Sequence, residues 1–452
     1  MADILKKLYN ACNPLEPASH EYFVSSNPAR GSCDLTFEFS NSLRSIEKDF
    51  LCFLFSGHVG CGKSSELHHL AEELKKPAAG SQPCFPIIID AGEFLDEYNV
   101  VPSDILLALV SQVAFELEQA GIGLQDSYFL KKWDEIKGIL FREVALEDGS
   151  FSFSKVTANI KLLKRDPEAR DKVRKALETR LSSLRDQIRL FFEKARSEVK
   201  KKNYSDFILI IDNLEKIQRI EKINEGYESH RELFINRSPQ LTGLGAHVVY
   251  TVPLPLVLSD GPELLAKYGT TPFVLPMIKV FHKRAPNSAY DKGYDTLREL
   301  IKRRVGQGAE LTSIIKEDAL KFLFRYSGGN TRQLLMFLRE SSVHTDQPPI
   351  TLEVAQRAIS ETVSIYSRLP KSYWPKLAAL EKSSEKNIDI SDPEIKTMLH
   401  SLCILEYRNG DQDDAFNSPV PWYAVHPIIR ELRTFKDAVK RKKKPKAAIK
   451  SP

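Results

Sequence analysis

The stretch SGHVGCGKSSEL, residues 56–67, limits what this chain can fold into more than any other feature. Gly57 and Gly62-Lys63-Ser64 stand at the spacing G-x-x-x-x-G-K-[ST], and the apolar run FLCFLF (50–55) leads into it. Glycine backbones reach conformations closed to other residues, so consecutive N–H groups can turn inward around a polyphosphate. Lys63 would then neutralise the β- and γ-phosphate oxygens, and Ser64 would present a hydroxyl to Mg2+. Behind the loop, Leu67, Leu70 and Leu74 recur at helical spacing and predict a helix over 63–76, whose N-terminal dipole adds to the anion site. Strand, loop and helix in that order predict a phosphate-binding loop built from Gly57, Gly60, Cys61, Gly62, Lys63, Ser64 and Ser65. His58, Val59 and Cys61 fill the variable positions, and Cys61 reads as a small spacer.

Further apolar runs follow: FPIIID (85–90), FILIIDNLEKI (207–217), AHVVYTVPL (246–254) and PFVLPMIKV (272–280). Helical patterns lie between them. One opens at Pro102-Ser103 with Ile105, Leu106, Leu109 and Val113 on its buried stripe, and one starts at Asp166-Pro167 and runs to about residue 200. Strands alternating with helices predict an α/β P-loop NTPase fold, a parallel sheet covered by helices on both faces. Residues 123–205 form a long departure from that alternation. Within it, VALEDGSFSFSKVTANIKLL alternates around Asp148-Gly149 as a hairpin would.

Two strands end in an acid that could meet Mg2+, Asp90 and Asp212. Asp90 would place the chain nearer the kinase and GTPase branch, leaving open a P-loop phosphotransferase. Asp212 would place it in the ATPase branch. The more strongly apolar run before Asp212, and the residues after it, favour Asp212, with Asp90 the end of an ordinary strand. The guanine-reading N-K-x-D is absent, which leans towards ATP.

Composition excludes other classes. No apolar run approaches the length of a membrane-spanning helix, and MADILKKLYNACNPLEP lacks the apolar core of a secretory signal. Six cysteines (12, 33, 52, 61, 84, 403) form no C-x-x-C pair, so neither a metal site nor a disulfide framework is expected, and a cytoplasmic setting suits them. The net charge of +5 resides in the end of the chain: KDAVKRKKKPKAAIKSP (436–452) carries eight Lys or Arg against one Asp. Such a basic tail is expected to be disordered and to be able to hold nucleic acid without reading its sequence, or merely to keep the chain soluble.

The order Walker A (57–64), ILIID, Thr251 and GGNTR (328–332) resembles the AAA+ superfamily, its origin-recognition/initiator-like branch and neighbouring STAND-type ATPases, over residues 45–345. The resemblance implies that Lys63 binds phosphate, Ser64 and Asp212 hold Mg2+, Thr251 and Arg332 sense the γ-phosphate, and residues near Arg30-Gly31 lie by the adenine. GGNTR superficially resembles an ABC signature loop, but lies after the metal strand instead of before it. Departures from the family matter. Asn213 stands where motors carry the catalytic glutamate, and Glu215, the nearest acid, could be the base, cap a helix or pair with a lysine. No arginine lies between Thr251 and residue 272, only Lys267, which leaves Arg231 and Arg237 as substitute fingers. The STAND lid motif G-x-P is absent as well. Together these imply an ATP-binding, slowly hydrolysing switch, self-associating with nucleotide. A STAND-type sensor in bacterial antiviral defence, working with a companion effector protein, is the alternative.

The expected organisation is a lead-in (1–45), an ATPase domain (46–282, insertion 123–205), a helical lid (283–345), a C-terminal winged-helix-like domain (350–435) and the tail. KSYWPKLAALEK and DPEIKTMLHSL predict short helices, and CILEYRNGDQDD with PWYAVHPII a hairpin. Helices followed by a hairpin are the order of a winged helix, which would touch double-stranded DNA or dock a protein. The acidic helix start and the acidic loop 409–414 favour the second use. His426-Pro427 reads as the start of the final helix.

Overall fold

The computed structural model describes residues 2–46, 49–77, 82–122, 131, 161, 164–178, 180–222, 227–306, 310–409 and 420–441. The hairpin expected around Asp148, nearly all of the acidic loop and the tail from residue 442 lie outside the described residues. The chain divides into two compact units. One holds residues 34–57 and 63–274, the other residues 1–33, 58–62 and 275–452.

The first unit is built on a five-stranded sheet. Its strands are β1 (Cys52–Gly57), β2 (Phe85–Asp90), β3 (Phe207–Asp212), β4 (His247–Thr251) and β5 (Phe273–Leu275), in the order β2-β3-β4-β1-β5. The pairs β2·β3, β3·β4 and β4·β1 are parallel. Every residue of β3 and β4 is buried, so both faces of the sheet centre are covered, and the near-continuous Ile, Leu and Val runs follow from that. The run at 272–280, expected as one strand, is a strand only over Phe273–Leu275. Helices Lys63–Leu74 and Pro102–Gln119 pack on β2, and Leu254–Tyr268 packs on β1. The helix expected from 167 to about 200 is two helices, Pro167–Glu178 and Leu181–Lys201, because Arg180 leaves helical backbone angles (φ −128°, ψ 12°). The second buries Leu184, Ile188, Phe191, Phe192, Ala195 and Val199 as one stripe.

In the second unit, helix Ala2–Ala11 packs on helices Thr331–Val343 and Asp291–Val305. A short antiparallel pair, Phe281–His282 with Ala285–Ala289, precedes the helices expected from 283 onward. Farther on, helices Tyr373–Lys382 and Pro393–His400 lead to the antiparallel pair Ile404–Arg408 and Pro421–Val425. On that pair, Tyr407 and Trp422 stack with ring centroids 4.7 Å apart, and Phe281 meets both edge-on. Gly328 and Gly329 let the turn before helix Thr331–Val343 press against this body. Gly329 has φ +74°, and a Cβ there would lie 1.8 Å from the Ile278 carbonyl oxygen. Gly329→Ala is therefore expected to destabilise the protein by roughly 2–4 kcal/mol, combining left-handed strain with overpacking, as read from urea unfolding.

Candidate nucleotide site

The loop after β1 takes the turns that its glycines were expected to supply. Gly60 has φ +76° and Gly62 φ +107°. A Cβ at Gly60 would come within 2.7 Å of both the Arg332 Cβ and the Asn330 Oδ1. Gly57 ends β1, and its carbonyl accepts from Lys63 Nζ at 3.1 Å. Lys63, Ser64 and Ser65 open helix Lys63–Leu74, so the lysine that would meet phosphate projects from the helix's positive end. The chain passes from the first unit to the second at residue 58 and returns at residue 63.

Within the sheet unit, Lys63, Ser64, Asp212, Glu215 and Thr251 are brought together. Lys63 is 5% exposed, and its Nζ lies 3.0 Å from Glu215 Oε1. Of the three uses open to Glu215 in the sequence, the structure shows the lysine pair. Its other oxygen, Oε2, is buried without a hydrogen-bond partner. Asp212 accepts from its neighbour Asn213 N–H at 2.8 Å and is hydrogen-bonded by the Ser64 hydroxyl. Thr251, fully buried at the end of β4, donates to the Ile211 carbonyl at 3.1 Å and accepts from Leu214 N–H at 2.9 Å. It thereby fixes the short turn that carries Glu215. Asp90 and Asp212 end neighbouring strands in register. Asp90 accepts from Gly92 N–H at 2.8 Å and from the Asn213 amide at 2.9 Å. Asn213 is held in the left-handed region, φ +64°.

The two carboxyls are driven in opposite directions. Burial, then the Glu215 charge, raise Asp212 above the usual aspartate value, against the opposing Ser64, Asn213 and Lys63 contacts. Burial would raise Glu215 too, but the Lys63 charge and hydrogen bond outweigh it and hold Glu215 below the usual value. An Asp that resists ionisation beside an orphaned carboxylate oxygen is a site short of a cation. The residues present therefore fit a magnesium–nucleotide: Ser64 and Asp212 would hold the ion, with phosphate and water supplying the remaining ligands. Among the described residues, no group of three or more His, Cys, Asp or Glu could hold a metal without such help.

In the second unit the loop residues meet Arg30, Asn330, Thr331 and Arg332. Arg30, 2% exposed, donates to Cys61 O at 2.6 Å, to Ser26 Oγ at 2.5 Å and to the Pro276 carbonyl. Cys61 is fully buried. Arg332 donates its backbone N–H to Gly60 O at 3.1 Å, while its side-chain Nε donates to Pro14 O at 3.1 Å. Sequence reasoning missed Asn330, Thr331 and His58. The first two lay inside the quoted GGNTR, where the arginine carried the attention. His58 had no signal beyond its position in the loop. The two arginines considered as substitute fingers are engaged within their own unit: Arg231 with Asp260 and Glu263, Arg237 with Glu232.

A glycine loop follows β1, an acid ends β3, and a threonine ends the strand between them. The fold is that of a P-loop NTPase. No protein-family model matches the chain, and no curated protein does. Among solved structures it is similar to a Walker-type ATPase of Pyrococcus abyssi, at 14% identity over 93% of this chain and 98% of that one, with a TM-score of 0.44. It is also similar to Cdc6p of Pyrobaculum aerophilum, at 13% identity over 95% and 97%, with a TM-score of 0.42. The ORC1 protein of Aeropyrum pernix, solved in complex with DNA, matches at 12% identity over 90% of each chain, with a TM-score of 0.35. No helix among the described residues is long and apolar enough to cross a membrane.

The raised Asp212 carboxyl makes a prediction with a definite sign. Its folded pKa exceeds its unfolded one, so its stability contribution is intact below the unfolded value and is lost as pH rises through the folded value. Asp212→Asn should therefore melt higher than the wild type near neutral pH without nucleotide, with the gap closing in acid. Glu215→Gln should do the opposite near neutral pH. It leaves the buried Lys63 without its counter-charge, at a cost of roughly 3 kcal/mol in chemical unfolding.

Proposed function

We propose that the chain is an ATP-binding, slowly hydrolysing switch, and the observation that carries this reading is the buried Lys63–Glu215 pair beside Asp212. Lys63 would find stronger acceptors in a triphosphate than in Glu215, and Asp212, with Ser64, would hold the Mg2+. When bound, the ion would draw charge from the γ-phosphate. Lys63 exchanges one anion for another and stays neutralised throughout. Glu215, once released, keeps the burial that raises its pKa and loses the charge that lowered it, so it becomes a better proton acceptor. Lys63, the side chain that restrains the base, is therefore the one that a triphosphate would draw away.

Three features support slow turnover over fast. Asn213 stands directly after the metal-holding acid, and its amide is committed to Asp90. Thr251 is bonded to backbone on both sides, and Arg332 reaches a backbone carbonyl. Sensing through Thr251 or Arg332 would require these bonds to be traded for phosphate, which suits a switch whose bound nucleotide sets a conformation. Output goes through the C-terminal helices and hairpin, read as a winged helix, and the basic tail, to double-stranded DNA or a partner protein. Nucleotide-dependent self-association is part of the same reading. A STAND-type signalling role predicts ATP-driven growth in size without DNA, which sizing with and without DNA distinguishes.

Lys63→Ala is expected to weaken MgATP binding by roughly 10- to 100-fold, the worth of a charge-assisted hydrogen bond, in a calorimetric titration. Equal and negligible binding by both proteins would end the proposal. Deleting residues 442–452 removes five lysines. It is expected to flatten the salt dependence of DNA binding by about 0.9 for each phosphate that the shortened chain leaves unneutralised; an unchanged slope would exclude the tail from touching DNA.

A further inference from the structure

The phosphate loop is held from behind, and the holding groups are connected to the C-terminal hairpin. A loop that turns its N–H groups towards phosphate must turn carbonyls the other way, and buried carbonyls need donors. Here three consecutive carbonyls have them. Val59 O accepts from Asn330 Nδ2 at 2.8 Å. Gly60 O accepts from Thr331 Oγ1 at 2.9 Å and from Arg332 N–H at 3.1 Å. Cys61 O accepts from Arg30 at 2.6 Å. Asn330 is fully buried and also caps helix Thr331–Val343 by accepting from Gln333 N–H at 3.0 Å, so its amide orientation is fixed from both ends.

The side chain of His58 extends this connection. The ring is 2% exposed, and both nitrogens are bonded to backbone. Nε2 accepts from Glu406 N–H at 2.9 Å, in the first hairpin strand, and Nδ1 donates to Leu399 O at 3.2 Å, at the end of helix Pro393–His400. The Glu406 carbonyl accepts from Met277 N–H at 2.9 Å, and the Tyr407 hydroxyl donates to Gly328 O at 2.8 Å. Hairpin, loop and the Gly328–Thr331 turn are thus tied into one backbone network in which His58 is the loop's own contribution.

We propose that Asn330 and Thr331 are positioning residues for the phosphate loop, and that His58 transmits the loop's occupancy to the strand Ile404–Arg408. This deepens the nucleotide reading above and rests on it. Rotating the loop's N–H groups onto a phosphate changes the tilt of the same peptides whose carbonyls are clamped. His58, next to the clamped run in the chain, moves with them. Its two bonds pass that movement to the hairpin and the helix before it. The hairpin is the element proposed to meet DNA or a partner, so nucleotide state reaches the output surface within one unit and without the side chain of Arg332.

The test is hydrogen exchange on the full chain, free and saturated with magnesium and a non-hydrolysable ATP analogue, read at peptides covering 400–409. The expected result is at least a several-fold change in exchange rate there for the wild type, and loss of that response in His58→Phe at saturation. Asn330→Asp, which keeps the cap and removes the donor to Val59, should weaken analogue binding about tenfold and, as a buried carboxyl facing a carbonyl, lower the melting temperature as well. Thr331→Val, which removes a donor to Gly60 without burying a charge, should weaken binding several-fold with little change in melting temperature. Wild type that binds the analogue with no change at 400–409 overturns the transmission, as does an unchanged response in His58→Phe. Unaltered affinity in either Asn330→Asp or Thr331→Val overturns the positioning role. Wild type that fails to bind the analogue overturns the nucleotide reading instead.

Discussion

One ion pair organises the site. Lys63 is buried, and a buried ammonium without a counter-charge is costly, so the fold must supply an anion. Glu215 is that anion, and its place depends on the turn after β3, which the Thr251 hydroxyl fixes by accepting Leu214 N–H. Three strand ends therefore bear on one lysine: β1 through the loop, β3 through Asp212 and Glu215, β4 through Thr251. The strand order puts β4 between β1 and β3, and this turns residues far apart in sequence into neighbours.

The same pair explains the opposed acidities of the two carboxyls. Glu215 has the cation and is stabilised as an anion, while Asp212, a few residues away, has burial and a neighbouring negative charge. In the proposed reading, a nucleotide with its metal ion would reverse both conditions, and the site would work by a change of partners.

Much of this was legible in the chain. The loop, the helix stripe of Leu67, Leu70 and Leu74, and the four longer sheet strands are local patterns whose period survives folding. Other features depend on tertiary placement. The break at Arg180 has no proline or glycine to announce it, since Arg180 leaves helical angles at a residue with ordinary helix propensity. The run at 272–280 looked like one strand because apolar composition reports burial, and Met277 and Ile278 are buried, but against the hairpin unit and outside the sheet. For Glu215, the sequence supplied three roles and no way to rank them, because the choice depends on where a lysine 152 positions earlier arrives. His58 and Asn330 were invisible for a related reason: their partners are backbone atoms, which leave no trace in residue identity.

The most direct measurement is an experimental structure of the full chain with magnesium and a non-hydrolysable ATP analogue. The account requires Lys63 Nζ to leave Glu215 for the β/γ-phosphates, with Ser64 and Asp212 on the ion's side. A complex in which Lys63 remains on Glu215 while the analogue sits elsewhere, or in which Asp212 takes no part in the ion's surroundings, would contradict it.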